Sequence, residues 1–287
     1  MQPHFFVDVA DVKTRLEAAG YLADDAIATT VFLADRLGRP ILVEGPAGTG
    51  KTELAKAIAT AADAGLVRLQ CYEGLDEARA LYEWNYKKQL LRIQAAGDSA
   101  WEETHDDIFS DEFLLERPLL AAIRRTDPTV LLIDETDKAE IEVEGLLLEV
   151  LSDFQITIPE LGTIEAINRP FVVLTSNASR DLSEALRRRC LFLHLGYPDA
   201  EREQAIVRAR VPEISEALTE QLVKIVRAMR AMDLKKSPSI AESIDWARTL
   251  LALGWDTLDE EAVGATLGVV LKHASDQSRA AGRLGLN

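Results

Sequence analysis

The chain has 287 residues, 47% of them hydrophobic, a formal net charge of −16 and two cysteines. This length and apolar content support a large core near the size at which chains divide, so one large and one smaller domain are expected. No run approaches the ~18 consecutive apolar residues of a membrane helix, and Met1-Gln2-Pro3-His4 lacks the basic-then-apolar pattern of a signal peptide, so the expected location is the cytoplasm, without membrane contact. The acidic balance repels phosphate backbones at long range and disfavours nucleic-acid partners. Cys71 and Cys190 have no metal-ligand spacing and read as ordinary buried thiols, which argues against disulfides and zinc.

In chain order, Val9, Val12, Leu16 and Ala19 recur at helical spacing, and Ala26 to Leu37 forms a second helical segment ending at Gly38. Ile41-Leu42-Val43 is a short strand, followed by a glycine-rich turn and a helix over Thr52 to Ala62. Further strands are expected at 66–69, 130–133, 171–174 and 191–193, with crossovers between them, which predicts a doubly wound parallel sheet. After Tyr197-Pro198-Asp199 only helical periodicity remains. Residues 1–198 therefore form an α/β domain and 199–287 a smaller all-helical lid.

Two stretches exceed a minimal alternation. Residues 71–117 are too long for one crossover, and Asp98 to Glu116 holds eight carboxylates without a Lys or Arg, a run expected to be solvated or, as an insert, to face a partner. The second, about 153–168, alternates on both sides of Pro159-Glu160-Leu161-Gly162 and reads as a hairpin. Tyr82, Trp84 and Tyr86 either dock a partner or pack on their own insert. His105 among Glu102, Glu103, Asp106 and Asp107 is expected to be solvated, without a rigid ligand geometry.

Gly45-Pro46-Ala47-Gly48-Thr49-Gly50-Lys51-Thr52 matches G-x-x-x-x-G-K-[ST] between a strand and a helix. Glycines let successive backbone N–H groups point at phosphates, Lys51 supplies charge to the β and γ phosphates of ATP, and the Thr52 hydroxyl ligates Mg²⁺. Val130 to Ile133 then delivers Asp134 to the Mg²⁺ shell and Glu135 to polarise an attacking water.

These two motifs, with Leu174-Thr175-Ser176-Asn177 and Ala185-Leu186-Arg187-Arg188-Arg189-Cys190, resemble the Walker A, Walker B, sensor-one and arginine-finger segments of AAA+ ATPases over roughly residues 40–195. The resemblance implies a P-loop AAA+ core followed by a helical lid. It implies that Asn177 orients the hydrolytic water, and that Arg189, with Arg188 second, reaches a neighbouring subunit's nucleotide in a homo-oligomer, expected as a hexameric ring. The inserts resemble the helix-two and pre-sensor-one inserts of the MoxR group. Cys71 to Asp76, Tyr82 to Tyr86 and Phe113 to Leu119 are similar to MoxR members encoded beside molybdenum hydroxylases, the CoxD-like set. That likeness implies chaperone-like remodelling, a von Willebrand factor A-domain partner and a metalloenzyme client. The chain departs from the pattern at Ser237-Pro238-Ser239-Ile240, where many lids carry an arginine that touches the γ-phosphate. Whether Arg248 substitutes stays open, and Tyr21 is a weak candidate for adenine contact. The rival readings are a nucleic-acid motor or restriction-type translocase, and a small-molecule kinase.

Overall fold

Several helices begin where the sequence offers a side-chain cap. In the computed structural model, which describes residues 4–96 and 107–285, α1 (Val9–Ala18) starts where Asp8 accepts from the Asp11 N–H. Helix α2 (Asp25–Leu37) starts where Asp24 accepts from the Ile27 N–H. It ends at Gly38 with φ 59°, the left-handed stop expected from the sequence. The chain continues through β1 (Ile41–Glu44), α3 (Lys51–Ala61) and β2 (Gly65–Gln70) into an insert of α4 (Glu77–Ala80), β3 (Tyr82–Trp84), α5 (Tyr86–Ala96) and β4 (Leu114–Glu116). Then come α6 (Pro118–Arg124), β5 (Thr129–Asp134), α7 (Ile141–Asp153), the hairpin β6 (Gln155–Ile158) and β7 (Gly162–Glu165), β8 (Phe171–Ser176), α8 (Glu184–Arg189) and β9 (Leu191–His194).

All five expected strands form one parallel sheet in the order β2-β5-β8-β1-β9. Every residue of β5 and β8 is buried, as a central strand covered on both faces requires. Their register sets Ile133 opposite Leu174, and β2 sets Leu69 opposite Ile133 and Gln70 opposite Asp134. The C-terminal ends of β2, β5 and β8 therefore present polar residues side by side. This is where α/β sheets place their ligands.

The insert between β2 and β5 has its own order. β3 and β4 pair antiparallel, with Trp84 opposite Leu114. Trp84 is buried and meets Phe109 edge-on with ring centroids 5.2 Å apart, whereas Tyr86 is 62% exposed. Of the three aromatic residues, Trp84 thus packs on its own insert and Tyr86 faces solvent. The described part of the acidic run is not a bare carboxylate face: Asp107 pairs with Arg92, Glu112 with Lys88 at 2.8 Å, and Asp111 and Glu116 both with Arg124 at 2.7 and 3.1 Å. Its remaining carboxylates and His105 lie outside the described residues.

The chain divides into two compact units, Met1–Glu44 with Thr52–His194 and Gly45–Lys51 with Leu195–Asn287. The second holds α9 (Ala200–Arg210), α10 (Glu216–Arg230), α11 (Ile240–Ala252), α12 (Glu260–Val270) and α13 (Ala274–Leu284). Its core gathers Val207, Leu222, Val226, Met229, Trp246 and Leu250. The Trp246 indole N–H donates to Thr266 Oγ1 at 2.7 Å, which satisfies the one polar atom of the largest fully buried side chain among the described residues. Arg230 grips the fully buried Glu203 with two bonds of 2.6 and 2.7 Å and covers the Tyr197 ring at 4.3 Å. Paired in this bidentate way, the buried carboxylate escapes the desolvation cost of an isolated charge. Among the described residues no helix is long and apolar enough to cross a membrane.

Candidate functional site

At the ends of the central strands, Asp134 collects a ring of donors. Its side chain is 3% exposed, and its Oδ1 accepts from Thr52 Oγ1 at 3.0 Å and from Thr175 Oγ1 at 2.5 Å. Arg68 Nη2 donates to Oδ2 at 2.5 Å. The Thr175 hydroxyl also accepts from the Glu135 N–H at 2.9 Å, so one side chain at the end of β8 fixes both acidic residues at the end of β5. Glu135 sits in the left-handed region, φ 56° and ψ 47°, a conformation that costs a non-glycine residue of order 1–3 kcal/mol. Its carboxylate accepts from Gln70 Nε2 at 3.0 Å and faces Lys138 Nζ at 2.6 Å. Gln70 in turn accepts from Arg68, which closes a chain of side chains from Asp134 to Glu135 across β2.

The hard oxygens of Thr52 and Asp134, 3.0 and 3.3 Å apart, are the donor type that Mg²⁺ selects, so these residues fit the ion. Glu135 is a carboxylate one residue further on, held by Gln70 and Lys138.

After β8 the chain turns at Ala178, φ 56°, around Asp137. Asp137 accepts from the Asn177 N–H at 3.2 Å, the Ser179 N–H at 3.0 Å and Ser179 Oγ at 2.5 Å. Burial pushes the Asp137 carboxyl up, but these bonds outweigh it and hold it below the usual carboxylate range. Asn177 is thus anchored through its backbone at the end of the strand between β5 and β1.

The three arginines of α8 divide by role. Arg187 is held by Glu44 at 2.7 Å and lies over Phe192. Arg188 and Arg189 are exposed; Arg188 pairs with Glu184 one turn back, and Arg189 Nε donates to Ser152 Oγ at 2.7 Å. Arg39 closes the helix by donating to the carbonyls of Arg188 and Cys190 at 2.6 and 3.3 Å.

In the second unit, the glycine loop is shaped by close approach. A Cβ on Gly45 would lie 2.0 Å from the Leu195 carbonyl oxygen, and one on Gly48, φ 73°, would lie 2.4 Å from Ser239 Cβ. Thr49 is buried and its hydroxyl donates to the Pro46 carbonyl at 3.0 Å, while Ala47 at the loop tip is exposed. Lys51 is buried, its Nζ donating to the Gly45 and Pro46 carbonyls at 2.8 and 2.7 Å; Gly50 has φ 95°. Thr52 is the next residue along α3. Ser239 caps α11, accepting from the Glu242 N–H while the Glu242 carboxylate accepts from the Ser239 N–H at 2.9 Å. A serine stands there because it both caps the helix and fits against Gly48. Arg248 lies eight residues along α11, about 12 Å of helix from that end, and pairs with Asp245. Within this unit, then, Arg248 is not beside the glycine loop.

Three participants are absent from the motif reading: Arg68, Gln70 and Thr175. Their signal was positional, since they sit at the C-terminal ends of strands flanking Asp134, but only the register reveals which side chains meet. Cys71 and Cys190 are both buried, and burial pushes each thiol up to about 12, so neither is a nucleophile at neutral pH. Tyr21 is buried.

The chain is similar to an uncharacterized protein of Staphylococcus haemolyticus, 24% identical over 80% of this chain and 82% of that protein. A Staphylococcus aureus relative, also uncharacterized, is 27% identical over 76% and 77%. Among solved structures, a mutant of Thermotoga maritima RuvB covers 100% of this chain and 87% of its own, with a TM-score of 0.51 at 19% identity. A second RuvB mutant covers 98% and 83% with a TM-score of 0.52, again at 19% identity, so the likeness is one of fold. The model of the AAA domain, dynein-related subfamily, matches residues 40–190, more than half of the 287, and the chain belongs to that family.

Proposed function

We propose that the protein hydrolyses ATP with Mg²⁺ and uses the cycle for chaperone-like remodelling of a protein partner, as a MoxR-type AAA+ ATPase of the CoxD-like set serving metalloenzyme maturation in the cytoplasm. The observation that carries the hydrolytic part is the 3.0 Å contact of Asp134, with Glu135 beside it, to Thr52, the residue that closes a complete phosphate-loop motif. Bound Mg²⁺ supplies charge neutralisation at the phosphates. The chain's own residues do the rest. Thr52 and Asp134 hold the ion; Lys51 and the N–H groups of Gly45 to Thr52 bind the phosphates; Glu135 takes the water proton; Asn177 orients that water. A kinase would present an acceptor hydroxyl instead, and a water-polarising glutamate would then have no use.

The remodelling part rests on the two inserts, which add β3–α5–β4 and β6–β7 beyond what nucleotide chemistry needs. The expected assembly is a hexameric ring, with a von Willebrand factor A-domain protein as partner and a metalloenzyme as client. One experiment addresses both parts. Glu135→Gln, loaded with ATP and tagged, should retain nucleotide and capture partners from the source cell. Phosphate release by the wild type that does not fall in the variant removes Glu135 from its role. Stimulation by duplex or single-stranded DNA, with capture of nucleic acid instead of protein, favours the motor reading.

A further inference from the structure

Asp134 is a buried carboxylate with a built-in cation. Arg68 reaches it from the neighbouring strand, with Nη2 2.5 Å from Oδ2, although the arginine itself is 47% exposed. The register puts the meeting within reach: β2 and β5 are parallel, Gln70 lies opposite Asp134, and Arg68 stands two residues earlier on the same face of the strand. A carboxylate this buried needs a partner, and Thr52 and Thr175 are neutral donors. A divalent ion at the same carboxylate would bring a like charge within a few ångströms of the guanidinium. Two cations cannot share one buried carboxylate at low cost.

We infer that Arg68 competes with the divalent metal for Asp134 and must swing away when Mg²⁺ arrives with nucleotide. The movement is available because the guanidinium end is half in solvent, so water can take over its hydrogen bonds. Arg68 is therefore a positioning residue, acting through Asp134.

This inference rests on the nucleotide-site reading above, and the experiment separates the two. Affinity for a fluorescent ADP analogue is measured with excess Mg²⁺ and with EDTA, for the wild type, Arg68→Ala and Arg68→Lys. The quantity read is the factor by which Mg²⁺ strengthens nucleotide binding. With the competitor gone, that factor should rise roughly tenfold in Arg68→Ala, the scale of one hydrogen bond to a charged group. The EDTA affinity should stay within about threefold of wild type, and Arg68→Lys, which keeps a cation, should lie between the two. An unchanged or smaller Mg²⁺ factor in a folded Arg68→Ala overturns the competition. So does a selective loss of affinity in EDTA, which would make Arg68 a phosphate clamp. If Arg68→Ala does not fold, Arg68→Gln carries the test, since it keeps a polar partner for Asp134 without the charge. A wild type that binds no nucleotide under either condition refutes the nucleotide-site reading itself, whatever Arg68 does.

Discussion

Thr175 shows how much one side chain can determine. Its hydroxyl spans Asp134 Oδ1 and the Glu135 N–H, at 2.5 and 2.9 Å, and so holds a left-handed residue in place at the end of β5. Thr175→Val keeps the shape and removes both bonds. It should cost about 1–3 kcal/mol in urea unfolding, because a half-buried N–H and a buried carboxylate each lose a partner. Hydrolysis should fall more than nucleotide affinity, since Lys51 and the loop are untouched; equal losses in both would place Thr175 in binding instead. Lys51→Ala should instead abolish or severely weaken ATP binding itself, which a titration at equilibrium reads directly. The two cysteines provide a pH test. Each thiol is raised to about 12 from an ordinary value of 9.0, so the folded state favours the neutral form. Their contribution to stability is fully present below pH 9 and is lost as pH rises toward 12. At pH 8 a thiol reagent should label neither Cys71 nor Cys190 until the protein is denatured; rapid labelling of the native protein would contradict their burial.

Elements explain what could be read from residues alone and what could not. Five strands, the hairpin and the stop at Gly38 were legible because apolar runs, a Pro/Gly turn and a left-handed glycine act locally. The β3–β4 pair was not, since three-residue strands in a polar insert leave no periodicity, and its pairing of Trp84 with Leu114 spans thirty positions of chain. The acidic run gave only part of its surroundings: its described carboxylates are largely exposed, as a solvated run requires, but they also meet Lys88, Arg92 and Arg124, bases supplied by α5 and α6 and not by the run itself. Trimming the run should therefore disturb the insert as well as any partner surface, and Arg124→Ala alone should lower the melting temperature by a few degrees. The glycine loop gives a sharper contrast. A methyl on Gly45 meets a backbone carbonyl at 2.0 Å, which cannot rotate aside, whereas one on Gly48 meets the Ser239 side chain. Gly45→Ala should cost about 1–3 kcal/mol and distort nucleotide binding. Gly48→Ala combined with Ser239→Gly should recover part of what Gly48→Ala loses, and no recovery would mean that φ 73° alone sets the cost at that site.

At the scale of the whole molecule, the proposal of a shared active site turns on which arginines the chain keeps for itself. Arg187 is committed to Glu44 and Phe192, and Arg39 is spent on the carbonyls that end α8. Arg188 and Arg189 are the exposed pair, and their only described partners are Glu184, Ser152 and a backbone carbonyl of their own helix neighbourhood. The i,i+4 pair of Arg188 with Glu184 is worth only about 0.3–0.5 kcal/mol, and the exposed Arg189 guanidinium is held by one hydroxyl and one carbonyl that water can replace, so either can leave at little cost to reach a neighbour's phosphates. Arg189→Ala should then bind ATP almost normally but hydrolyse it about 10³-fold more slowly, because guanidinium charge matters chiefly in the transition state. Lys51→Ala should be nearly inactive for the opposite reason, lacking nucleotide. Mixing the two variants creates interfaces at which an intact loop faces an intact arginine, and activity should partly return if subunits exchange. Exchange shown independently by mass or fluorescence, with no activity regained, would defeat the shared site. Full activity in Arg189→Ala alone would pass the role to Arg188, whose own alanine variant should then carry the whole loss.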